Sequence, residues 1–312
     1  MSRLAYLFPG QGAQAVGMGK AFYDRFAESR EMYKRANAHL GFDVTALCFE
    51  GPVGELMKTE HCQPALFVTG LAAFTAYRSL AHSTSPVGAA GLSLGELTAL
   101  AAAEALSFAD AISLVRARAE AMAECAAQTQ GTMLAVVGLS RDAVAEICRR
   151  SGAVEANFNS PDQIVLSGPV PAIDLAASLA KAAGVKRALK LEVAGAFHSP
   201  LMQRAAERLR EVLAKITLAK PRFPVVSNVT GQPETDPIAI REILVKQIVS
   251  PVRWEESMRT LISGGAEVFL EFPPAKVLTA LLRRIDASVK CLALDEPADF
   301  EKLPSLTPAR LR

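Results

Sequence analysis

Ser93 stands in Gly91-Leu92-Ser93-Leu94-Gly95, a Gly-x-Ser-x-Gly pattern with an apolar run (residues 87–90) before it and the helix-forming run 96–103 after it. A strand, a sharp turn carrying a serine, and a helix make a nucleophile elbow, which presents the hydroxyl at the end of a sheet. The glycines suit the turn because side chains two residues either side of the serine would collide there. The N–H of Leu94 and the helix N-terminus would face any oxyanion formed at Ser93, so the chemistry suggested is acyl transfer through a serine ester. Five residues alone are a weak signal and read equally well as a small-residue turn. The partners decide.

A serine nucleophile needs a base, and the sequence holds four histidines. His39 closes a helical pattern, where an imidazole complements the helix dipole. His61 and His82 fall in polar stretches read as loops. His198 follows an expected strand among Phe197, Pro200, Leu201 and Met202; a histidine so placed is either a base or a packed core residue. No acidic residue stands near these segments to orient the ring. A backbone carbonyl can accept the Nδ1–H instead; it stabilises imidazolium less than a carboxylate, which is enough where the leaving group is a thiolate. Arg118 lies between Val115 and Met122 in the apolar stripe of a helix that Ser107 caps, while Arg116 shares the opposite face with Ser113 and Glu120. Arg118 therefore turns inward and requires an anion, in a structural ion pair or in a ligand.

These residues need a scaffold, and 312 residues suffice for one large α/β domain with an insertion or for two domains. A net charge of +2 excludes polyanion or membrane-surface binding by bulk charge. Five scattered cysteines suggest neither a disulfide framework nor a metal cluster. The apolar run 4–8 is too short for a signal peptide, and Glu96 and Glu104 break the most apolar long window, so no membrane span and a cytoplasmic protein are expected. Strands are expected at 4–8, 87–90, 223–226, 266–270 and 289–294, and helices at 19–39, from Gln63, at 107–128, 201–215, 236–249, 251–262 and 276–285. From residue 130 a compact alternation reads βαββαβ, with strands at 133–137, 154–157, 164–167 and 185–193 and helices at 141–149 and 171–183. That is the order of a ferredoxin-like unit. The fold expected is α/β: a large domain with a mostly parallel sheet (1–129 and 194–294), a ferredoxin-like insert (130–193), and a partly mobile tail (295–312).

Seven segments occur in a set order: Pro9-Gly10-Gln11-Gly12-Ala13-Gln14, Gln63-Pro64-Ala65, the elbow through Glu96, Arg118 with Met122, Asn157-x-Asn159-Ser160-Pro161, Gly195-Ala196-Phe197-His198-Ser199, and Gln247-x-x-Ser250-Pro251-Val252-x-Trp254. Together they resemble the malonyl-CoA:acyl carrier protein transacylases of fatty-acid synthesis and the acyltransferase domains of polyketide synthases, over roughly residues 3–294. The resemblance implies an α/β-hydrolase-like large domain, Ser93 as acyl nucleophile, His198 as base and acid, and the Gln247 carbonyl orienting His198. It implies an oxyanion hole from the N–H groups of Gln11 and Leu94, and Arg118 on the malonyl carboxylate. Gln63, Met122, Phe197 and Asn159 would line the substrate site, Phe197 leaving less room for an α-methyl branch, a difference worth roughly 1–3 kcal/mol.

Malonyl-CoA and an acyl carrier protein are the implied partners, with no cofactor, metal, nucleic acid or membrane, and a monomer is expected. Lys186, Arg187 and Lys190, or Arg283 and Arg284, would supply a basic rim for the acidic carrier or are simply solvated. The sequence departs from the family at Leu92, where a histidine is usual; with its side chain opposite to Ser93, leucine is expected to pack into the core. Rival readings are a discrete polyketide-pathway acyltransferase, a hydrolase that clears stalled acyl groups, a generic serine esterase, and a non-catalytic carrier-binding module.

Overall fold

Five apolar residues in succession, Leu4–Phe8, form β1, and all five are buried, as a strand covered on both faces requires. The other strands are β2 (Gly88–Gly91), β3 (Gly131–Val137), β4 (Val154–Ser160), β5 (Gln163–Pro169), β6 (Arg187–Lys190), β7 (Val225–Val226), β8 (Pro233–Glu234), β9 (Val268–Glu271) and β10 (Lys290–Ala293). They come from a computed structural model that describes residues 3–81 and 85–303. Six strands make one sheet in the order β10-β9-β1-β2-β7-β8. Every pair in it is parallel except β7 with β8, so the sheet is mostly parallel with one antiparallel edge strand. Side chains of β1 alternate between two cores: Tyr6 and Phe8 join the larger one, Ala5 and Leu7 the one that holds Trp254 and Phe269.

The second sheet is antiparallel, ordered β4-β5-β3-β6. With helices Arg141–Ser151 and Val170–Ala182 packed on it, this is the strand order of a ferredoxin-like βαββαβ unit. Alternation along its strands sets up the site. Leu134, Val136, Ile164 and Leu166 face these helices, whereas Met133 and Val165 face the larger body and line a cleft.

Local departures from expectation have physical causes. The helix read over 19–39 breaks at Phe26, whose backbone is extended, into Lys20–Arg25 and Ala27–Leu40. The helix read from Gln63 starts at Thr59 and carries Pro64 inside it, because burial on nearly every side outweighs the missing N–H. His61 thereby sits in that helix and not in a loop. The helix read from Pro251 starts at Trp254, since Val252 is held in a parallel bridge with Asn157 that ties the large domain to β4. Strand β6 is shorter than read, and short helices Val44–Glu50 and Val53–Leu56 and the edge strand β8 were not foreseen.

The tail begins as a 3₁₀ helix, Pro297–Lys302, whose Phe300 is fully buried against Phe22, Phe26 and Tyr77. His82 and the end of the tail, with Pro304 and Pro308, lie outside the described residues. Among the described residues no helix is long and apolar enough to cross a membrane.

Candidate active site

Strands β1 and β2 run parallel with Phe8 opposite Gly91, so the chain segments leaving their C-terminal ends lie side by side. Contact distances show why these segments carry glycine. A Cβ on Gly91 would stand 1.9 Å from the Gly95 backbone, one on Gly95 2.1 Å from the Phe8 carbonyl, and one on Gly10 2.3 Å from the Leu92 carbonyl. Ser93 holds φ 54° and ψ −104°, a conformation that a non-glycine residue keeps only where its surroundings enforce it. Asn228 enforces it: its Oδ1 accepts the Ser93 N–H at 2.7 Å and its Nδ2 donates to the Gly91 carbonyl at 2.8 Å.

The Ser93 hydroxyl lies 2.8 Å from Nε2 of His198, whose Nδ1 lies 2.9 Å from the Gln247 carbonyl. A carbonyl only accepts, so Nδ1 carries the proton and Nε2 is free to take one from Ser93. Arg118, 2% exposed, donates from Nη2 to Ser93 Oγ at 2.9 Å and to Gln247 Oε1 at 3.0 Å, and from Nη1 to Gln63 Oε1 at 2.5 Å. Among the described residues its Nε is buried without a hydrogen-bond partner, and the acid that acts on its charge, Glu96, reaches it through Gln247 and not in a direct ion pair. Arg116, by contrast, pairs with Glu120 at the surface. Burial lowers the Arg118 pKa to about 10, which leaves it cationic at neutral pH.

Burial, with the Arg118 charge second, pushes the His198 ring down to about 4 against the opposing bonds from Gln247 and Ser250. A base must be neutral to accept a proton, and a lowered pKa keeps it neutral to lower pH. Acylation of Ser93, followed by quenched-flow mass spectrometry, is thus expected to hold its rate from neutrality down to about pH 5 and to fall as pH nears 4. A fall centred near pH 6.5, the ordinary histidine value, would contradict this environment.

A cleft of about 200 Å³ opens over Ser93. Gln11, Gln63, Leu94, Arg118, Met122, Asn159, Phe197 and His198 line it together with Ser93, while Gln247 lies behind His198. Among the described residues, neither the Gln11 nor the Leu94 N–H is taken by a backbone acceptor. The four-stranded sheet supplies the facing wall with Asn157, Asn159, Gln163 and Val165. The Asn159 Oδ1 is buried there with no hydrogen-bond partner. Leu92 packs against the smaller core as expected, but it is only half-buried and also lines the cleft beside Val277 and Leu281. Its position at the turn, and not in the strand proper, brings it to the rim.

Two further residues belong to the site, and the sequence assigns neither a role in it. Asn228 sits in Ser227-Asn228-Val229-Thr230-Gly231, which carries only a turn signal. Glu96 closes the elbow motif and is the lone acid in the apolar helix Leu94–Ala102, but nothing local names its partners.

With this geometry in view, comparison with known proteins is specific. The acyl transferase domain model matches residues 5–298. A malonyl CoA-acyl carrier protein transacylase of Bacillus subtilis is 40% identical, with 96% of each chain covered. An acyl carrier protein S-malonyltransferase of Vibrio cholerae superposes with a TM-score of 0.93 at 37% identity, covering 96% of this chain and 99% of that one. A malonyl-transacylase solved in complex with its type II polyketide acyl-carrier protein gives the same TM-score and identity, over 96% and 98%. Ser93, His198 and the buried Arg118 thus stand in a chain that belongs to the acyl transferase domain family and, within it, to the malonyl CoA-acyl carrier protein transacylases.

Proposed function

We propose that the protein moves malonyl from malonyl-CoA to the phosphopantetheine thiol of an acyl carrier protein, through an ester on Ser93, for fatty-acid synthesis. The observation that carries this reading is the shared Ser93 hydroxyl, bonded at once to His198 and to a buried arginine that has no carboxylate within 4 Å among the described residues and meets Glu96 only through Gln247. Arg118 Nη2 lies 2.9 Å from Ser93 Oγ, within reach of a carboxylate on the second carbon of an acyl group carried there.

In the first half-reaction His198 Nε2 takes the hydroxyl proton as Oγ attacks the thioester carbonyl. The oxyanion faces the N–H groups of Gln11 and Leu94, and the coenzyme A sulfur leaves with the proton from His198. In the second, the carrier thiol gives its proton to His198, sulfur attacks the ester carbonyl, and Ser93 leaves and recovers the proton. Coenzyme A enters as a substrate's leaving group, and no separate cofactor is required. Residues 1–129 and 194–294 form the catalytic body, and the insert 130–193 shelters the ester from water. Phe197 narrows the cleft against an α-methyl branch. Of the basic set facing an acidic carrier, Lys190 and Arg284 are already paired with Asp174 and Asp162, which leaves Lys186, Arg187 and Arg283 for the rim. The working compartment is the cytoplasm.

Intact-mass spectrometry tests the scheme. Malonyl-CoA is expected to add one malonyl to the protein, and a phosphopantetheinylated carrier protein is expected to remove it and gain it. An adduct lost to water at the same rate without carrier would point to a hydrolase. A second reading, supply of a polyketide line, is favoured by the equal likeness to the polyketide transacylase; transfer to a polyketide carrier at least tenfold faster than to a fatty-acid carrier would select it.

A further inference from the structure

Glu96 is 3% exposed in a helix otherwise built of apolar residues, glycine and threonine. A carboxylate is not buried without compensating hydrogen bonds. Its Oε2 accepts from Gln247 Nε2 at 2.6 Å and from the Asn228 N–H at 3.2 Å, and its link to the Arg118 cation runs through Gln247. These two neighbours are the ones that hold the reacting groups. Gln247 offers its carbonyl to His198 and its Oε1 to Arg118, and its Nε2 also donates to the Ser93 carbonyl at 3.1 Å. Asn228 brackets the strained Ser93 backbone from both sides.

A glutamine amide has two orientations of nearly equal shape, and they differ only in which end accepts. Flipped, the Gln247 amide would set NH₂ against the Arg118 guanidinium, donor to donor, and its oxygen against the Glu96 carboxyl, acceptor to acceptor. Glu96 and Arg118 therefore select one orientation from opposite ends. Burial raises the Glu96 carboxyl to about 7 against the hydrogen bonds from Gln247 and Asn228 and the Arg118 charge, and the titratable groups facing the cluster are Arg118 and, across Gln247, His198. The neutral acid keeps a carbonyl oxygen for these bonds, but its O–H can also serve a flipped amide, so in that state the orientation rests on Arg118 and the Ser93 carbonyl.

We propose that Glu96 is a positioning residue for acyl transfer: as an acceptor for Gln247 and Asn228 it fixes the orientation of Arg118 and the backbone of Ser93 without touching substrate. The inference rests on Arg118 being the malonyl clamp. The test compares wild type with Glu96→Leu, Glu96→Gln and Arg118→Ala, measuring kcat and KM for malonyl transfer and the malonyl-to-acetyl ratio of Ser93 labelling.

Glu96→Leu is expected to lower malonyl kcat/KM by roughly 10- to 100-fold and to reduce the malonyl-to-acetyl ratio, because two buried donors lose their acceptor. Glu96→Gln, whose amide oxygen accepts the same bonds, is expected to stay within about threefold of wild type. A residue needed only for folding would scale both acyl groups alike and leave the ratio unmoved. A wild-type ratio in a folded Glu96→Leu protein, or a Glu96→Gln protein as impaired as Glu96→Leu, overturns the proposal. If Glu96→Leu does not fold, Glu96→Ala is read in its place by the same criteria. If Arg118→Ala keeps the malonyl preference, the clamp reading is what fails, and the kcat of Glu96→Leu against Glu96→Gln still decides the positioning role.

Discussion

Ser93→Ala is expected to accept no malonyl from malonyl-CoA and to lose turnover by roughly 10⁴-fold or more, the scale on which a covalent nucleophile is missed. The loss should be chemical and not structural. The backbone at 93 is held by Asn228 through main-chain groups, and alanine preserves those bonds. What disappears is the oxygen on which His198 and Arg118 converge. Intact mass after mixing with malonyl-CoA, with thermal unfolding as the control on folding, reads this directly. Labelling of the alanine variant equal to wild type would remove the ester intermediate, and with it any distinction from a carrier-binding module that performs no chemistry.

That outcome depends on loop adjacency that the parallel sheet creates. Strand β1 sends Gln11 and β2 sends Ser93 from neighbouring C-terminal ends, and the Gly10, Gly91 and Gly95 contacts press those segments together. The elbow was legible in sequence because its constraints are local: a steric need for glycine, an apolar strand before it and a helix after it. Arg118 was legible for a similar reason, since three- and four-residue spacing to Val115 and Met122 fixes its face.

Long-range features were not legible. Nothing local marks Asn228 as the clasp on Ser93, because its partner lies 135 residues away. The same holds for Val252, whose bridge to Asn157 shortens the helix that Pro251 had suggested. Leu92 shows a finer limit: it packs against the core as strand alternation requires, but the turn begins there and brings it to the cleft as well. Pattern rules hold inside an element and weaken at its last residue.

Arg118→Ala is expected to cut kcat/KM for malonyl-CoA by about 10²-fold or more while acetyl-CoA labelling changes little, so that selectivity for the charged acyl group collapses. Loss of charge-assisted hydrogen bonds to a carboxylate accounts for about 3 kcal/mol, which is about 10²-fold. The acetyl group is the internal control, because it reaches Ser93 and His198 by the same path and lacks only the carboxylate. Arg118→Ala also leaves the acceptors Gln63 Oε1 and Gln247 Oε1 without their donor, a disturbance expected to be small beside the lost carboxylate contact and equal for both acyl groups. A common loss therefore measures disturbed packing, and only the change in ratio measures the clamp. Arg118→Lys sharpens the point. It keeps a positive charge but cannot span Gln63, Gln247 and Ser93 at once, so partial selectivity with a low rate is expected from charge without geometry. If wild type labels as readily with acetyl-CoA as with malonyl-CoA, Arg118 is a structural cation, and the free carboxylate is read elsewhere or not at all.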